Sequence, residues 1–335
     1  MNATGLFSLV SFFILLVFMK IVYTDAFTLN PGDLEWTPIQ SLGDVTLYDR
    51  TSPDELIGRI KDAEMILVNK VKITRETLAQ LPHLRYIGVT ATGYDVIDVA
   101  AASQQGIVVT NVKGYSTDSV AQLTFALLLE LTHRTGRHSD SVQSGEWAAS
   151  PDFSYWKSPL IELAGKTLGL VGYGDIGRKV AGIGQAFGMN VLVHRRNRQA
   201  ETGENITLVD RETLFEQSDV VSLHCPATAD TIGFVNRALL SRMKPTALLL
   251  NTSRGSLLNE ADVAEALNAG LIGGAGLDVL AVEPPEHSNP LTTAKNCIIT
   301  PHIAWASFES RQRLLHLVAD NMQAFLDGSP INTVS

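Results

Sequence analysis

Two doubly wound α/β domains are what this 335-residue sequence predicts. Three observations carry that expectation. Short β-branched runs alternate with helical stretches from Met19 onward, the pattern of βαβ units on a parallel sheet. The alternation restarts at Thr167, and the length of the chain also suits about two domains. A glycine-rich turn follows the restarted strand, at the carboxyl edge where open parallel sheets bind ligands.

In the first half, strands are expected at Ile21–Thr24, Val45–Tyr48, Met65–Asn69, Tyr86–Thr90 and Ile107–Thr110. Pro53–Lys61, Thr74–Gln80 and Val96–Gln105 read as the helices between them. Ser116-Thr117-Asp118 supplies N-cap candidates for a long helix, whose buried stripe is Val120, Leu123, Leu127, Leu128 and Leu131. Gly136 is expected to end or bend it. In the second half, strands are expected at Thr167–Val171, Val191–Val193, Val220–Leu223, Ala247–Asn251, Gly274–Leu277 and Ile298–Thr300. Asp175–Phe187, Arg211–Ser218, Arg237–Met243 and Asn259–Ala269 read as helices. The amphipathic tail Phe308–Leu326 has no place in a completed second sheet. Its return to the first domain would bury its apolar face and make that domain discontinuous.

Composition is that of a globular protein, 45% apolar and 18% charged, with a formal net charge of −9. Apart from Arg195-Arg196-Asn197-Arg198 there is no basic block, which argues against a nucleic-acid partner. Cys225 and Cys297 lie in or beside apolar strand runs and point to buried thiols in a reducing, cytoplasmic compartment. Leu6–Phe18 is almost wholly apolar but short of the roughly 20 residues that span a bilayer. It also lacks the basic n-region of a signal peptide. Residues 1–18 are therefore read as sequence upstream of a start at Met19, with a membrane anchor as the alternative; otherwise no membrane association is expected.

Leu168-Gly169-Leu170-Val171 runs into Gly172-Tyr173-Gly174-Asp175-Ile176-Gly177. A bare GxGxxG is common in tight turns without ligand. Here a strand precedes, a helix follows, and a second strand ends about 20 residues on, the context of a Rossmann dinucleotide site. Gly172 permits the turn, Gly174 admits a pyrophosphate, Gly177 lets helix and strand approach, and the helix N-terminus faces the phosphates. At the end of the second strand, an NAD site usually carries an acid for the ribose 2′-hydroxyl. This chain has His194-Arg195-Arg196, and an arginine there can grip a 2′-phosphate. The cofactor is read as NAD(P)(H) with NADP favoured through Arg195, while Arg196 covers adenine or solvent. A solvated basic loop is the competing reading.

Arg254, Glu283 and His302 each follow an apolar strand run, a placement from which a guanidinium, a carboxylate and an imidazole can converge on one small carboxylic acid. Alone, any of them is more often a solvated charge or a turn residue. His133 and His138 miss the i, i+4 spacing of a helical zinc pair, and no metal is expected. The surrounding motifs are Asn251-Thr252-Ser253-Arg254-Gly255, Gly276-Leu277-Asp278-Val279, Val282-Glu283-Pro284-Pro285 and Thr300-Pro301-His302-Ile303-Ala304-Trp305. Together with Ala91-Thr92-Gly93-Tyr94-Asp95, they resemble the D-2-hydroxyacid dehydrogenase family.

The resemblance runs from Met19 to the C-terminus, with several separated motifs in the family's order. It implies a discontinuous flavodoxin-like substrate domain, residues 19–117 and 303–335, and a central nucleotide domain, residues 118–302. A homodimer through the long helix is implied too. Carried over by position, Arg254 binds the substrate carboxylate and polarises its keto oxygen, and His302 is the acid in reduction and the base in oxidation. Glu283 holds the imidazole and favours its protonated form. Backbone amides near Thr92 and Gly93 complete the carboxylate pocket. Asp278 meets the nicotinamide carboxamide, while Thr252, Thr231 and the Cys225 carbonyl lie where the family touches cofactor. The expected activity is hydride transfer between a nicotinamide and a small 2-keto or 2-hydroxy acid, hydroxypyruvate/D-glycerate or glyoxylate/glycolate. A cofactor-sensing scaffold, like the family's corepressor branch, is the alternative. Glu283 argues against the formate dehydrogenase branch, which pairs its histidine with glutamine.

Overall fold

The computed structural model describes residues 19–196 and 205–334. The readings of residues 1–18 and of Asn197 and Arg198 fall outside these. The chain divides into two compact units. One comprises the described residues up to Tyr115 and those from Arg311 on; the other is Ser116–Ser310. The second boundary lies beyond the expected residue 302 for a physical reason. The Asp278 carboxylate takes the amides of Ile303 and Ala304 at 2.9 and 2.8 Å, and the Ala304 carbonyl accepts the Ser119 hydroxyl at 2.6 Å.

The first unit is built on β1 (Lys20–Tyr23), β2 (Asp44–Leu47), β3 (Met65–Val68), β4 (Tyr86–Val89) and β5 (Val108–Thr110). They form a wholly parallel sheet in the order β2-β1-β3-β4-β5, the flavodoxin-like arrangement. Strands β3 and β4 are buried throughout, as continuous apolar runs covered on both faces should be. Helices α1 (Thr37–Gln40), α2 (Pro53–Ile60), α3 (Arg75–Leu78) and α4 (Val99–Gln104) connect them. Helix α4 starts three residues later than expected. Ile97 is held in a parallel bridge to Ile73, and the Asp98 side chain caps the helix by accepting the Ala101 amide at 2.8 Å.

The second unit opens with α5 (Thr117–His133) and α6 (Thr135–Gln143). Gly136 does not end the long helix: Arg134, at φ 50°, takes the left-handed turn, and Gly136 lies inside α6. Then come β6 (Thr167–Val171), α7 (Asp175–Ala186), β7 (Asn190–His194), β8 (Ile206–Leu208), α8 (Arg211–Gln217), β9 (Val220–Leu223), α9 (Arg237–Leu240), β10 (Leu248–Asn251), α10 (Glu260–Asn268), β11 (Gly274–Leu277) and β12 (Cys297–Ile299). Strand β8, an Ile-Thr-Leu edge too short to show periodicity, is absent from the sequence reading. The sheet order is β12-β11-β10-β9-β6-β7-β8. Counted from β6 this is the 3-2-1-4-5-6 winding with one strand added, and its order reverses between β6 and β9. The glycines of β11 let α5 lie on the sheet, since a Cβ at Gly276 would press on Leu127 and Leu250.

Helix α11 (Phe308–Leu326) lies mostly in the first unit. There Leu314, Leu315, Val318 and Met322 are buried, Arg311 clamps Asp33 through two bonds of 2.7 and 2.6 Å, and Phe325 packs on Tyr86.

Candidate active site

The register of the second sheet aligns Asn251, Leu277 and Ile299 across β10, β11 and β12. Arg254, Asp278 with Glu283, and His302 therefore leave the carboxyl ends of three adjacent strands. Chain direction alone collects them there.

His302 is held at φ 54°, a left-handed conformation that a non-glycine residue adopts at a cost. The surroundings fix it. Its amide donates to the carbonyls of Asp278 and Thr300 at 2.9 and 3.0 Å. The Asp278 carboxylate, 1% exposed, grips residues on both sides, accepting the Thr300 hydroxyl at 2.6 Å besides the two amides beyond His302. Burial raises the Asp278 carboxyl above its ordinary value, against the opposing pull of these donors and of His302.

The ring Nδ1 of His302 meets Glu283 Oε2 at 2.6 Å, with 29% and 32% of the two side chains exposed. The other carboxylate oxygen, Oε1, accepts the Leu280 amide at 3.0 Å. With Nδ1 committed to the acid, Nε2 is the nitrogen free to exchange a proton with a reacting group.

Asn251, fully buried, shapes the turn that carries Arg254. Its Oδ1 accepts the Ser253 amide at 3.0 Å and its Nδ2 donates to the Arg254 carbonyl at 2.9 Å. The Arg254 guanidinium itself is exposed, one of its nitrogens bonding the Ser253 carbonyl at 2.8 Å. Gly255 is required by packing, because a Cβ there would overlap the backbone of Leu280 and Ala281. The turn bearing Arg254 and the loop bearing Glu283 are thus pressed together. Sequence reading missed Gly255 and the role of Asn251; an Asx turn two residues ahead of Ser253 was the available signal.

Around the fingerprint, each glycine has its own reason. Gly172 sits at φ 101°, and a Cβ on it would overlap the His224 carbonyl. A Cβ on Gly177 would overlap the Gly172 carbonyl. Gly174, the N-cap of α7, has nothing within 4 Å of its Cβ position. That open face above a helix N-terminus fits a dinucleotide pyrophosphate. Asp175 bonds Arg178 at 3.0 Å, and Ile176 packs on the core. Arg195 stacks over the Tyr173 ring at 5.8 Å, whereas exposed Arg196 lies 3.8 Å from Asp230. The Cys225 carbonyl accepts the Ser253 hydroxyl at 2.8 Å, Thr252 bonds Thr124 at 3.0 Å, and Thr231 closes its own loop onto the Pro226 carbonyl at 2.8 Å.

Neighbouring His224, bonded through Nε2 to the Ser222 hydroxyl, is driven down to about 4 by burial and stays neutral. Both cysteines are free and half-buried rather than fully buried, and burial lifts Cys225 to about 11 and Cys297 to about 12. No described group of three His, Cys, Asp or Glu side chains could hold a metal ion.

Thr92 and Gly93 belong to the first unit, past the end of β4. There the Thr92 hydroxyl donates to the Val112 carbonyl at 2.8 Å and its carbonyl accepts Asn111 Nδ2 at 2.6 Å.

Residues 125–304 match the model of the "D-isomer specific 2-hydroxyacid dehydrogenase, NAD binding domain". A hydroxypyruvate reductase of Blautia hydrogenotrophica is 47% identical over 321 residues, covering 95% of this chain and 100% of that one. Among solved structures, D-lactate dehydrogenase of Aquifex aeolicus, complexed with NAD and lactic acid, is 30% identical with a TM-score of 0.80. The alignment covers 94% of this chain and 99% of that one. An NADPH-dependent glyoxylate/hydroxypyruvate reductase of Sinorhizobium meliloti, complexed with NADP and malonate, is 28% identical with a TM-score of 0.78, covering 95% and 97%. With a nucleotide-binding sheet, a fingerprint that fits its pyrophosphate and a histidine–carboxylate pair at the sheet's edge, this chain belongs to the D-isomer specific 2-hydroxyacid dehydrogenase family and is a nicotinamide-dependent oxidoreductase.

Proposed function

We propose that the protein reduces hydroxypyruvate, and glyoxylate as a smaller analogue, to the corresponding 2-hydroxy acid. The observation that carries the reading is the 2.6 Å bond between His302 Nδ1 and Glu283, which follow β12 and β11, the two strands beside the β10 that leads to Arg254. The relatedness to a hydroxypyruvate reductase along almost the whole chain supports the substrate class.

The nicotinamide supplies the hydride in reduction and accepts it in oxidation. Arg254 binds the substrate carboxylate in a planar two-point clamp and polarises the keto oxygen. His302 donates the Nε2 proton to that oxygen and takes it back in the reverse direction. Glu283 orients the ring through its bond to Nδ1. By position in the family's motif, the backbone amides of Thr92 and Gly93 in the first unit are candidates for binding a substrate carboxylate. Asp278, Thr252, Thr231 and the Cys225 carbonyl serve the cofactor from the second, nucleotide-binding unit.

NADP is the proposed preference, because Arg195 stands on the fingerprint tyrosine where an acid would repel a 2′-phosphate. A homodimer through α5 is part of the same reading, supported by the exposed apolar side chains of Trp147, Phe153, Trp156 and Leu160 that follow it. Two free thiols favour a reducing cytoplasm.

Initial rates over a panel of 2-keto acids with NADH and NADPH test the function. Turnover highest with hydroxypyruvate is expected. Cofactor binding without turnover of any keto acid would favour the scaffold reading, which no observation on the site supports.

A further inference from the structure

The loop that carries Glu283 leaves β11 at Asp278 and is fastened from outside at two points by one side chain. Glu260, the first residue of α10, accepts the Ala281 amide through Oε1 at 2.8 Å and Asn289 Nδ2 through Oε2 at 2.9 Å. Asn289 is not free to turn its amide around, because its Oδ1 accepts the Leu291 amide at 3.0 Å. Next to Ala281, the Leu280 amide donates to Glu283 Oε1, and Glu283 Oε2 holds His302. The backbone of Leu280 and Ala281 also rests on Gly255, beside Arg254. A continuous set of bonds therefore joins α10 to the imidazole.

We infer that Glu260 is a positioning residue for the proton-transfer pair: by pinning both ends of the loop it keeps Glu283 in register with His302, though it bonds neither. The inference rests on the proposed acid–base role of His302. The charged groups nearest along the strand ends are Asp278, engaged with the residues after His302, and exposed Arg254, which follows the adjacent strand β10 and bonds the Ser253 carbonyl. On the loop itself are exposed Glu286 and His287. The other α10 acids are used elsewhere, Glu265 on the Arg237 guanidinium and Asp262 on its amide.

Three variants test this: Glu260→Ala, Glu260→Gln, and Glu260→Gln combined with Asn289→Asp. In Glu260→Ala, hydroxypyruvate turnover should fall about 10-fold, the scale of a small misplacement of a reacting group. KM should change little, because Arg254 is left in place. The pH profile of kcat/KM for reduction should also change, because the carboxylate that orients the reacting imidazole is no longer held in place. Glu260→Gln keeps the Ala281 bond but turns an NH₂ group toward that of Asn289, and should fall between. The double variant reverses the polarity of that second bond: the glutamine NH₂ donates to the aspartate, which still accepts the Leu291 amide. It should restore both turnover and the pH profile.

A Glu260→Ala protein that loses thermal stability while keeping its turnover and profile would overturn the inference. So would a double variant that regains stability without the profile. If Glu260→Ala fails to fold, the other two variants carry the test. His302→Ala assayed alongside separates the two claims, because undiminished turnover there removes the acid–base role and not merely its positioning.

Discussion

Each unit holds a buried aspartate just past the strand next to one edge of its sheet, and the two do the same local job with different consequences. Asp25, after β1, accepts the amides of Asn69 at 2.9 Å and of Lys70 and Val71 at 2.6 and 3.2 Å, fixing the loop that follows β3. Asp278, after β11, accepts two amides and a hydroxyl, fixing the loop that follows β12. In both cases a carboxylate at the carboxyl edge of a parallel sheet satisfies backbone donors of the next loop, among them the amides of buried Asn69 and Ala304. The difference lies in what the loop carries. Among the described residues, the loop held by Asp25 presents no histidine–acid pair, whereas the loop held by Asp278 presents His302 in a left-handed turn against Glu283. Loop fastening is thus the common device, and reactivity depends on the side chain the fastened loop displays.

After the loss of His302 itself, the largest effect should come from the anion clamp. Arg254→Lys is expected to lower kcat/KM about 10²–10³-fold, because an ammonium replaces a planar two-point donor at a developing oxyanion. A few-fold change would place Arg254 outside the pocket. The two aspartates come next and break the comparison directly. Asp25→Ala removes the acceptor of three amides, and the one of buried Asn69 costs about 1–3 kcal/mol if left unsatisfied, so thermal stability should fall with the pH profile of kcat/KM unchanged. Asp278→Ala should move the profile and depress turnover as well as stability. Identical consequences for the two would contradict the distinction drawn here.

Cofactor choice should respond more modestly. Arg195→Asp should shift preference toward NADH by about 10-fold, one charge-assisted bond of about 1.5 kcal/mol or more being lost and a repulsion gained. A kcat/KM with NADH that already equals or exceeds that with NADPH in the unmodified enzyme would reduce Arg195 and Arg196 to a solvated loop. The smallest effect concerns the thiols. Folding raises Cys225 to about 11 and Cys297 to about 12, above the roughly 8.5 of an unfolded chain. Their contribution to stability is therefore complete below that unfolded value and is lost as pH rises through 11 and 12. Thiol titration at pH 8 should be slow in the native protein and immediate in denaturant. Rapid native reaction would contradict the burial.

Much of this was legible from residue pattern alone. Continuous apolar runs such as Met65–Val68 and Leu248–Asn251 mark buried parallel strands, and the strand–glycine–helix order around Gly172 marks the nucleotide crevice. Arg254, Glu283 and His302 were legible because chain direction in a parallel sheet sends every strand end to the same edge. What escaped was tertiary. Strand β8 is three residues at an edge, with no periodicity to read. The long helix ends in a left-handed turn at Arg134, two positions before the Gly136 expected to end or bend it. The fastening roles of Asp278 and Glu260 depend on which amides face them across 25 and 21 residues of chain, and no local pattern encodes that.

The most direct test of the account is the turnover of His302→Ala with hydroxypyruvate, in protein whose circular dichroism and thermal unfolding match the unmodified enzyme. Loss of the general acid should lower kcat by about 10²–10⁴-fold, with a much smaller change in KM because Arg254 still binds the carboxylate. Unmodified turnover in that folded variant would contradict the account, since the bond between His302 and Glu283 would then serve only the fold.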